Sequence, residues 1–433
     1  MSEEELRKKI HSLIPGGGHT YSRGDDQFPE NAPALLVKGK GAYVWGSDGK
    51  KYLDYGMGLR SVTIGYAQPE IDDAAIAEIR KGNSLTRASM TELEAAEKIL
   101  GVFKGMDMVK FGKNGSTVTT AAVKLARAYT GKKYVIRCLD HPFFSYDDWF
   151  IGDTVLTRGI PEEYRTLTLN FNFNDIDSLK KVFDKYSGQI ACVIMEPTSH
   201  IQPKDGFLQD VVELTHKNGA VFISDEISCS FRVGLAVTQD CYNVTPDLVT
   251  VGKGMANGYS VTALMGLKEI MDLGGITKEG AERVFLISTT FGAEMSGLGA
   301  MNATIDYFRE HDVLTYLWDY NRKLMDGINR ISKEHGIDDK FYFEGFPGRL
   351  NYVTKDSQGK SSYEYRTLFA QEMAKQGILI PWVVSSFSHT EKELEKTFDA
   401  VDKSLEIYKK ALAEGTAKYL KGKSIKPVFR KYN

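Results

Sequence analysis

The chain has 433 residues, 55 Lys and Arg against 57 Asp and Glu, and a formal charge of −2. Its length exceeds the ~100 to 200 residues of one domain, so two or three domains with a sizeable core are expected. Charges of both signs are interspersed, which argues against nucleic acid or an anionic membrane surface as the partner.

The mild exception is the basic tail from Lys418 to Lys431, which reads as a solvated terminus. The first residues carry no apolar signal core, and no apolar run approaches the ~18 residues of a membrane span. Cys138, Cys192, Cys229 and Cys241 show no metal-ligand spacing and need no disulfide framework in a chain of this size. A cytoplasmic protein with its cysteines in the core and no metal is expected.

In chain order, an amphipathic opening runs to Ile14, a Pro15-Gly16-Gly17-Gly18 breaker follows, and the runs 34–37, 42–45 and 52–55 read as a small antiparallel unit turned by Ser47-Asp48-Gly49-Lys50. From residue 66 the pattern becomes helices alternating with short apolar runs at 134–137, 190–195 and 220–223. These are apolar on both faces, as buried parallel strands are. Phe207, Leu208, Val211, Val212, Leu214 and Thr215 keep helical spacing up to Asn218-Gly219, which makes a right-handed βαβ crossover between two of the strands. Beyond residue 310 come a helix over 314–334, strands near 341–343 and 350–353, and helices around 362–376 and 390–412. The expected division is an arm and hairpin at 1–65, a large α/β domain at 66–310 and a small α+β domain at 311–433.

The chemistry concentrates at strand ends. The strand closing on Asp225-Glu226 and the strand Asp247 to Val251, which leads to Gly252-Lys253-Gly254, are expected to present their carboxyl ends on one rim with Glu196-Pro197. A lysine at a strand end is commonly a solvated turn residue. In a partly dry pocket, however, its amine loses a proton readily and condenses with an aldehyde, while a neighbouring aspartate holds a pyridinium nitrogen. Upstream, Lys113-Asn114-Gly115-Ser116-Thr117 opens an Ala-rich helix whose free amides and hydroxyls suit a phosphate. A plain N-cap reads equally well from that segment alone.

These residues fall in a familiar order. Pro15-Gly16-Gly17 with Arg23, Gly41-Ala42-Tyr43 with Asp48-Gly49, Asp54-Tyr55, Gly115-Ser116, Ala128-Tyr129-Thr130-Gly131, Glu196-Pro197, Asp225-Glu226 with Phe231-Arg232, Thr245 to Leu248 and Gly252-Lys253 resemble the class III pyridoxal-phosphate aminotransferases, and within them the glutamate-1-semialdehyde aminomutase branch. The resemblance spans Pro15 to about Thr397. It implies the fold type I transferase architecture: a large domain around a mostly parallel seven-stranded sheet, with a smaller α+β C-terminal domain.

The same resemblance makes pyridoxal 5'-phosphate the cofactor, Lys253 its Schiff-base lysine and Asp225 the partner of its ring nitrogen. Gly115, Ser116 and Thr117 would hold its phosphate, and Thr290 would reach that phosphate from the second subunit of a homodimer with shared active sites. Ile227 would lie on one ring face, with Phe143 or Phe144 on the other. Arg23 matches the arginine that binds the substrate carboxylate.

Departures bear on the substrate. His141-Pro142-Phe143-Phe144 stands where the family has an aromatic-His-Gly, and the phosphate loop lacks the aminomutase glutamate. Arg60, in Met57-Gly58-Leu59-Arg60-Ser61, is new where aminomutases carry a pocket tryptophan, and the segment 380–387 is shorter and lacks a glutamate. Arg60 is read as a second anion contact, against the alternative of a surface ion pair; His200 is a substrate or cofactor contact, against ordinary packing. The expectation is an aminotransferase that moves an amino group from an amino-acid donor to an aldehyde or ketone, with a polar, anionic or carbohydrate-like acceptor. The alternatives are aminomutase-type intramolecular transfer and a descendant without catalysis, which an intact Lys253 and Asp225 disfavour.

Overall fold

A computed structural model describes residues 1–433. The chain forms two compact units, one of Met1–Gln68 with Thr315–Val428, the other of Pro69–Leu314 with Phe429–Asn433. The stretches 1–68 and 315–428, far apart in the chain, therefore share one body.

In that unit the first helix, Glu3–Leu13, starts at a capping box in which Ser2 and Glu5 satisfy each other's backbone amides. Strands β1 (Leu36–Lys40), β2 (Tyr43–Gly46) and β3 (Lys51–Asp54) form an antiparallel meander. The β2–β3 turn closes with Asp48 accepting from the Lys50 amide and Gly49 at φ 78°.

The second unit supplies β4 (Met108–Gly112), β5 (Tyr134–Cys138), β6 (Thr168–Phe171), β7 (Ile190–Met195), β8 (Val221–Asp225), β9 (Leu248–Val251) and β10 (Thr262–Gly266). They form one seven-stranded sheet in the order β4-β10-β9-β8-β7-β5-β6. Only β10 runs antiparallel to its neighbours. Every residue of β7, β8, β9 and β10 is buried, as helices on both faces of such a sheet require. The helix Phe207–Lys217 connects β7 to its parallel neighbour β8 and ends where Gly219, at φ 58°, turns the chain back. Because β7, β8 and β9 are adjacent and parallel, Glu196, Asp225 and Lys253 leave the sheet on the same rim. The strands β4, β6 and β10 carry weak sequence signals: a lysine, an asparagine and an Ala-Leu-Met run interrupt the β-branched pattern.

The first unit then resumes with β11 (Phe341–Phe346), β12 (Arg349–Thr354) and β13 (Ile378–Leu379). The first two pair as a hairpin, and β13 extends the meander by pairing parallel to β3. The helix Val313–Glu334 buries Leu317, Tyr320, Leu324, Ile328 and Ile331 at three- and four-residue spacing. Leu324 and Ile328 join Phe341, Phe369, Val401 and Leu405 in one core. No helix is long and apolar enough to cross a membrane.

The basic tail departs from the expected solvated terminus. The Ile425 amide donates to Thr367, the Lys426 amide to the Asp26 carbonyl, and Phe429 packs edge-on against Phe150. Apolar Ile425 and Phe429, spaced among the lysines, supply the burial that tethers it.

Leu324 has no exposed surface, so Leu324→Ala should cost about 2–5 kcal/mol through lost contacts and a residual cavity. A lowered urea midpoint for the unit that holds it is the expected result; an unchanged midpoint would mean the site collapses without a void.

Candidate active site

Asp225 ends β8 fully enclosed, with the Ile227 amide and the Thr250 hydroxyl both donating to its Oδ1 at 3.1 Å. Burial first, then the nearby Glu196 carboxylate, push its pKa up to about 7; the Ile227 amide, the Lys253 ammonium and the Thr250 hydroxyl pull the other way. Glu196, equally buried, accepts from Ser228 at 2.6 Å, and its own amide donates to His141 Nδ1 at 3.1 Å. Two carboxyl groups therefore share a dry rim with one lysine.

Lys253 follows β9 after an extended Gly252 and takes a left-handed φ of 47°, opening a short 3-10 turn. A non-glycine residue held there by its surroundings is a mark of a functional position. Gly252 itself admits no side chain, since a Cβ would come within 2.8 Å of Thr262 Cγ2.

The helix Gly115–Thr130 begins with Asn114 as N-cap, its side chain accepting from the amide and hydroxyl of Thr117. Asn114 is itself anchored, because Thr262 donates to its carbonyl. No protein acceptor takes the amides of Gly115 or Ser116, so two donors and the positive end of the helix dipole stand ready for an anion. A Cβ on Gly115 would lie 2.9 Å from Ile227 Cδ1, and one on Gly252 would lie 3.6 Å from Ile227 Cγ2. Ile227 thus sits against both the helix start and the residue before Lys253. The structure brings together Gly115, Ile227, Asp225 and Lys253.

The two alternative aromatic candidates differ in their surroundings. Phe144 is enclosed in the core with Phe150 and Trp149, its carbonyl accepting from Thr119, whereas Phe143 keeps 47% of its surface exposed. The loop is fixed to the start of the helix at Gly115 through Tyr146, whose amide donates to Ser116 Oγ at 3.0 Å. His200 is partly exposed in the loop after β7. Thr290 is exposed and lines a small cavity with Ser84, Thr86, Arg87 and Ser89. Four residues further, Glu294 pairs with Lys113 at 2.6 Å, next to the seat.

Arg23 and Arg60 belong to the other unit. Arg23 is exposed and close enough to the Tyr66 hydroxyl to act on its ionisation. Arg60 ends a turn in which Met57, Gly58, Leu59 and Arg60 have φ of 38°, 58°, 62° and 69°. For a non-glycine residue that conformation costs about 1–2 kcal/mol.

Thr250 went unremarked as a site residue in the sequence, and Glu226 was read only as the acid beside Asp225 on the rim. Thr250 is a lone hydroxyl in an apolar strand, which is the signal that marks it. Glu226 accepts from Ser230 at 2.6 Å and from the amides of Val237 and Thr238 at 2.7 and 3.0 Å, which fixes the loop that follows Ile227.

The residues present fit a pyridine ring bearing a phosphate. Oδ2 of Asp225 carries none of its two hydrogen bonds, and a ring N–H at that oxygen would offset the cost of its buried charge. The two glycines leave space that a side chain would fill. Burial raises the Cys138 and Cys192 thiols to about 12; Cys241, against the expected core placement, is exposed, yet partial desolvation and the neighbouring Asp240 still hold it up at about 11, so none competes as a thiolate.

The family model of the class III aminotransferases matches residues 25–380. The chain is 31% identical over 419 residues to the 3-aminobutyryl-CoA aminotransferase of Cloacimonas acidaminovorans (strain Evry), covering 94% of this chain and 97% of that protein. It is 29% identical over 427 residues to glutamate-1-semialdehyde 2,1-aminomutase 1 of Listeria welshimeri serovar 6b, covering 92% and 96%. Among solved structures, the PLP internal aldimine form of the FumI protein of Sphingopyxis sp. MTA144 superposes with a TM-score of 0.86 at 26% identity, over 95% of this chain and 97% of that one. A sheet rim built for a cofactor and a match over most of the length agree: the chain belongs to the class III aminotransferases, as a pyridoxal-phosphate-dependent transaminase.

Proposed function

We propose that the protein transfers an amino group from an amino-acid donor to an aldehyde or ketone acceptor that is polar and anionic. The observation that carries this reading is the shared rim of Asp225 and Lys253 beside the open amides of Gly115 and Ser116. Pyridoxal phosphate, when bound, supplies the electron sink for the carbanion at the substrate carbon. Asp225 holds the ring nitrogen protonated. Lys253 carries the cofactor when substrate is absent and moves the proton at the substrate carbon. Gly115, Ser116 and Thr117 take the phosphate, with Thr290 of a second subunit completing the seat, so the working form is a cytoplasmic homodimer with shared sites. Ile227 and Phe143 enclose the ring, and Phe143 is preferred over Phe144 because only it keeps an open face. Arg23 takes the substrate carboxylate, Arg60 a second anion and His200 a polar group of substrate or cofactor.

Aminomutase chemistry is the second reading, favoured by the retained Arg23 and by the Listeria relative. The relative from Cloacimonas is named for a β-amino thioester, which puts β-amino compounds among the donors to test. Mixing cofactor-loaded protein with single α- and β-amino acids should abolish the visible absorbance band for at least one, glutamate first. Silence toward all of them, with turnover of an amino aldehyde alone, would favour the aminomutase. Lys253→Ala should lower turnover by about a thousandfold or more, and Asp225→Asn by roughly a hundredfold, both read as steady-state kcat at saturating cofactor.

Asp225 also sets a pH dependence. Its folded value of about 7 lies above the ~3.9 of an unfolded aspartate. The stability lent by its proton is therefore complete below about pH 4 and lost as pH rises through about 7, at up to about 1.4 kcal/mol per unit between them. Cofactor-free Asp225→Asn protein should melt with a flatter pH dependence than cofactor-free wild type across that window; identical profiles would contradict the burial argument.

A further inference from the structure

The ring of Phe143 is placed by its neighbours and not by its own backbone. Neither the amide nor the carbonyl of Phe143 takes part in a backbone hydrogen bond. The residues after it are tied along the start of the helix Gly115–Thr130: Thr119 donates to the Phe144 carbonyl at 2.8 Å, the hydroxyls of Thr120 and Ser145 pair at 3.0 Å, and Ser116 accepts from the Tyr146 amide. Phe143 stands just outside these ties, with 47% of its surface exposed. A side chain so placed hops between rotamers unless something packs on it.

Two rings do. Phe150 meets Phe143 edge-on at 5.6 Å between centroids, and Phe429 meets it at 6.5 Å with the planes 37° apart. Phe150 is the fixed partner: it is enclosed, it also takes Phe144 and Phe429 edge-on, and the Arg137 guanidinium, held by Asp153 at 2.7 Å, lies 5.1 Å from its centre. Phe429, from the end of the chain, is the second wall. It packs against the core cluster that contains Ile227, whereas Tyr432 beyond it is 77% exposed. The chain end thus commits one aromatic to this ring and leaves the other in solvent.

Resting on the reading above of Phe143 as one face of the cofactor pocket, we infer that Phe429 is a positioning residue for the transamination: it holds the Phe143 ring at the angle at which it covers the pyridine. A stacked ring contributes through the orientation of its plane. Without Phe429, Phe143 keeps one partner, and the rotamers it gains are lost again each time the cofactor binds. The rest of the loop stays in place, because its ties run to the helix and not to the chain end.

Titration of the cofactor-free full chain with pyridoxal phosphate, and visible circular dichroism of the loaded protein, test this apart from turnover. Phe429→Ala should weaken cofactor binding about three- to tenfold, the size expected for one aromatic pair, and reduce the dichroism of the bound chromophore; Phe429→Tyr should restore both. Phe429→Leu, which fills the space without a ring, should melt close to wild type and still show the reduced dichroism. Phe143→Ala should weaken binding at least as much as Phe429→Ala, and combining the two should add nothing, since a residue that acts through another has no effect once that other is gone. Wild-type affinity and dichroism in Phe429→Ala would overturn the proposal, as would a Phe429→Ala loss that persists undiminished in the Phe143→Ala background; either result leaves Phe143 in its assigned place. Unaltered binding and dichroism in Phe143→Ala would instead remove the ring-face reading itself, and the role of Phe429 with it.

Discussion

Keeping a carboxyl group dry at the end of a β-strand is the constraint on which the large unit depends. Asp225 is enclosed beside a second buried acid, Glu196, and only two hydrogen bonds and one ammonium oppose the cost. Such a site is poorly satisfied by protein alone. A cationic ring nitrogen would resolve it, and the surrounding parts suit that need: Thr250 and the Ile227 amide fix one oxygen, Ile227 fills the space between two glycines, and Glu226 ties down the loop that carries Ile227. Binding of the cofactor and stability of the sheet rim are one energetic problem.

The parts of this arrangement that rest on local pattern were legible in the sequence. Strands buried on both faces announce themselves by β-branched runs, so β7, β8 and β9 and the acids and lysine that end them could be placed from composition and spacing. The helix start at Asn114 and Gly115 was legible as well, although that segment alone reads equally as a plain N-cap. What was not legible depends on partners far along the chain. β10 is antiparallel because it inserts between β4 and β9, and its Thr-Ala-Leu-Met-Gly carries no sign of that pairing. The separation of Phe143 from Phe144 follows from which ring finds Phe150 and Trp149, a packing outcome that two adjacent phenylalanines cannot encode alone.

The left-handed turn shows the same limit more sharply. Nothing in Met57-Gly58-Leu59-Arg60 predicts three non-glycine residues at positive φ, and Leu59 in particular argues for another conformation. The conformation is imposed by a carboxylate three residues before the turn and a phenol six residues after it, each held by strands of the meander. Sequence reading found Arg60 as a departure from the aminomutases; tertiary contact, through Asp54 and Tyr66, explains the fixed backbone that carries it.

Phe429 gives the end of the chain a structural part. Its ring meets Phe150 and the exposed Phe143 at centroid distances of 6.2 and 6.5 Å, so the aromatic loop that joins the helix start at Ser116 is partly built by Phe429. An affinity tag or fusion partner appended after Asn433 would pull on that loop directly. The first helix of the other unit is tied down in its turn, Glu3 accepting from the Ala34 amide and the Ser47 hydroxyl and Arg7 pairing with Asp25, so a label placed there would pull on the meander instead.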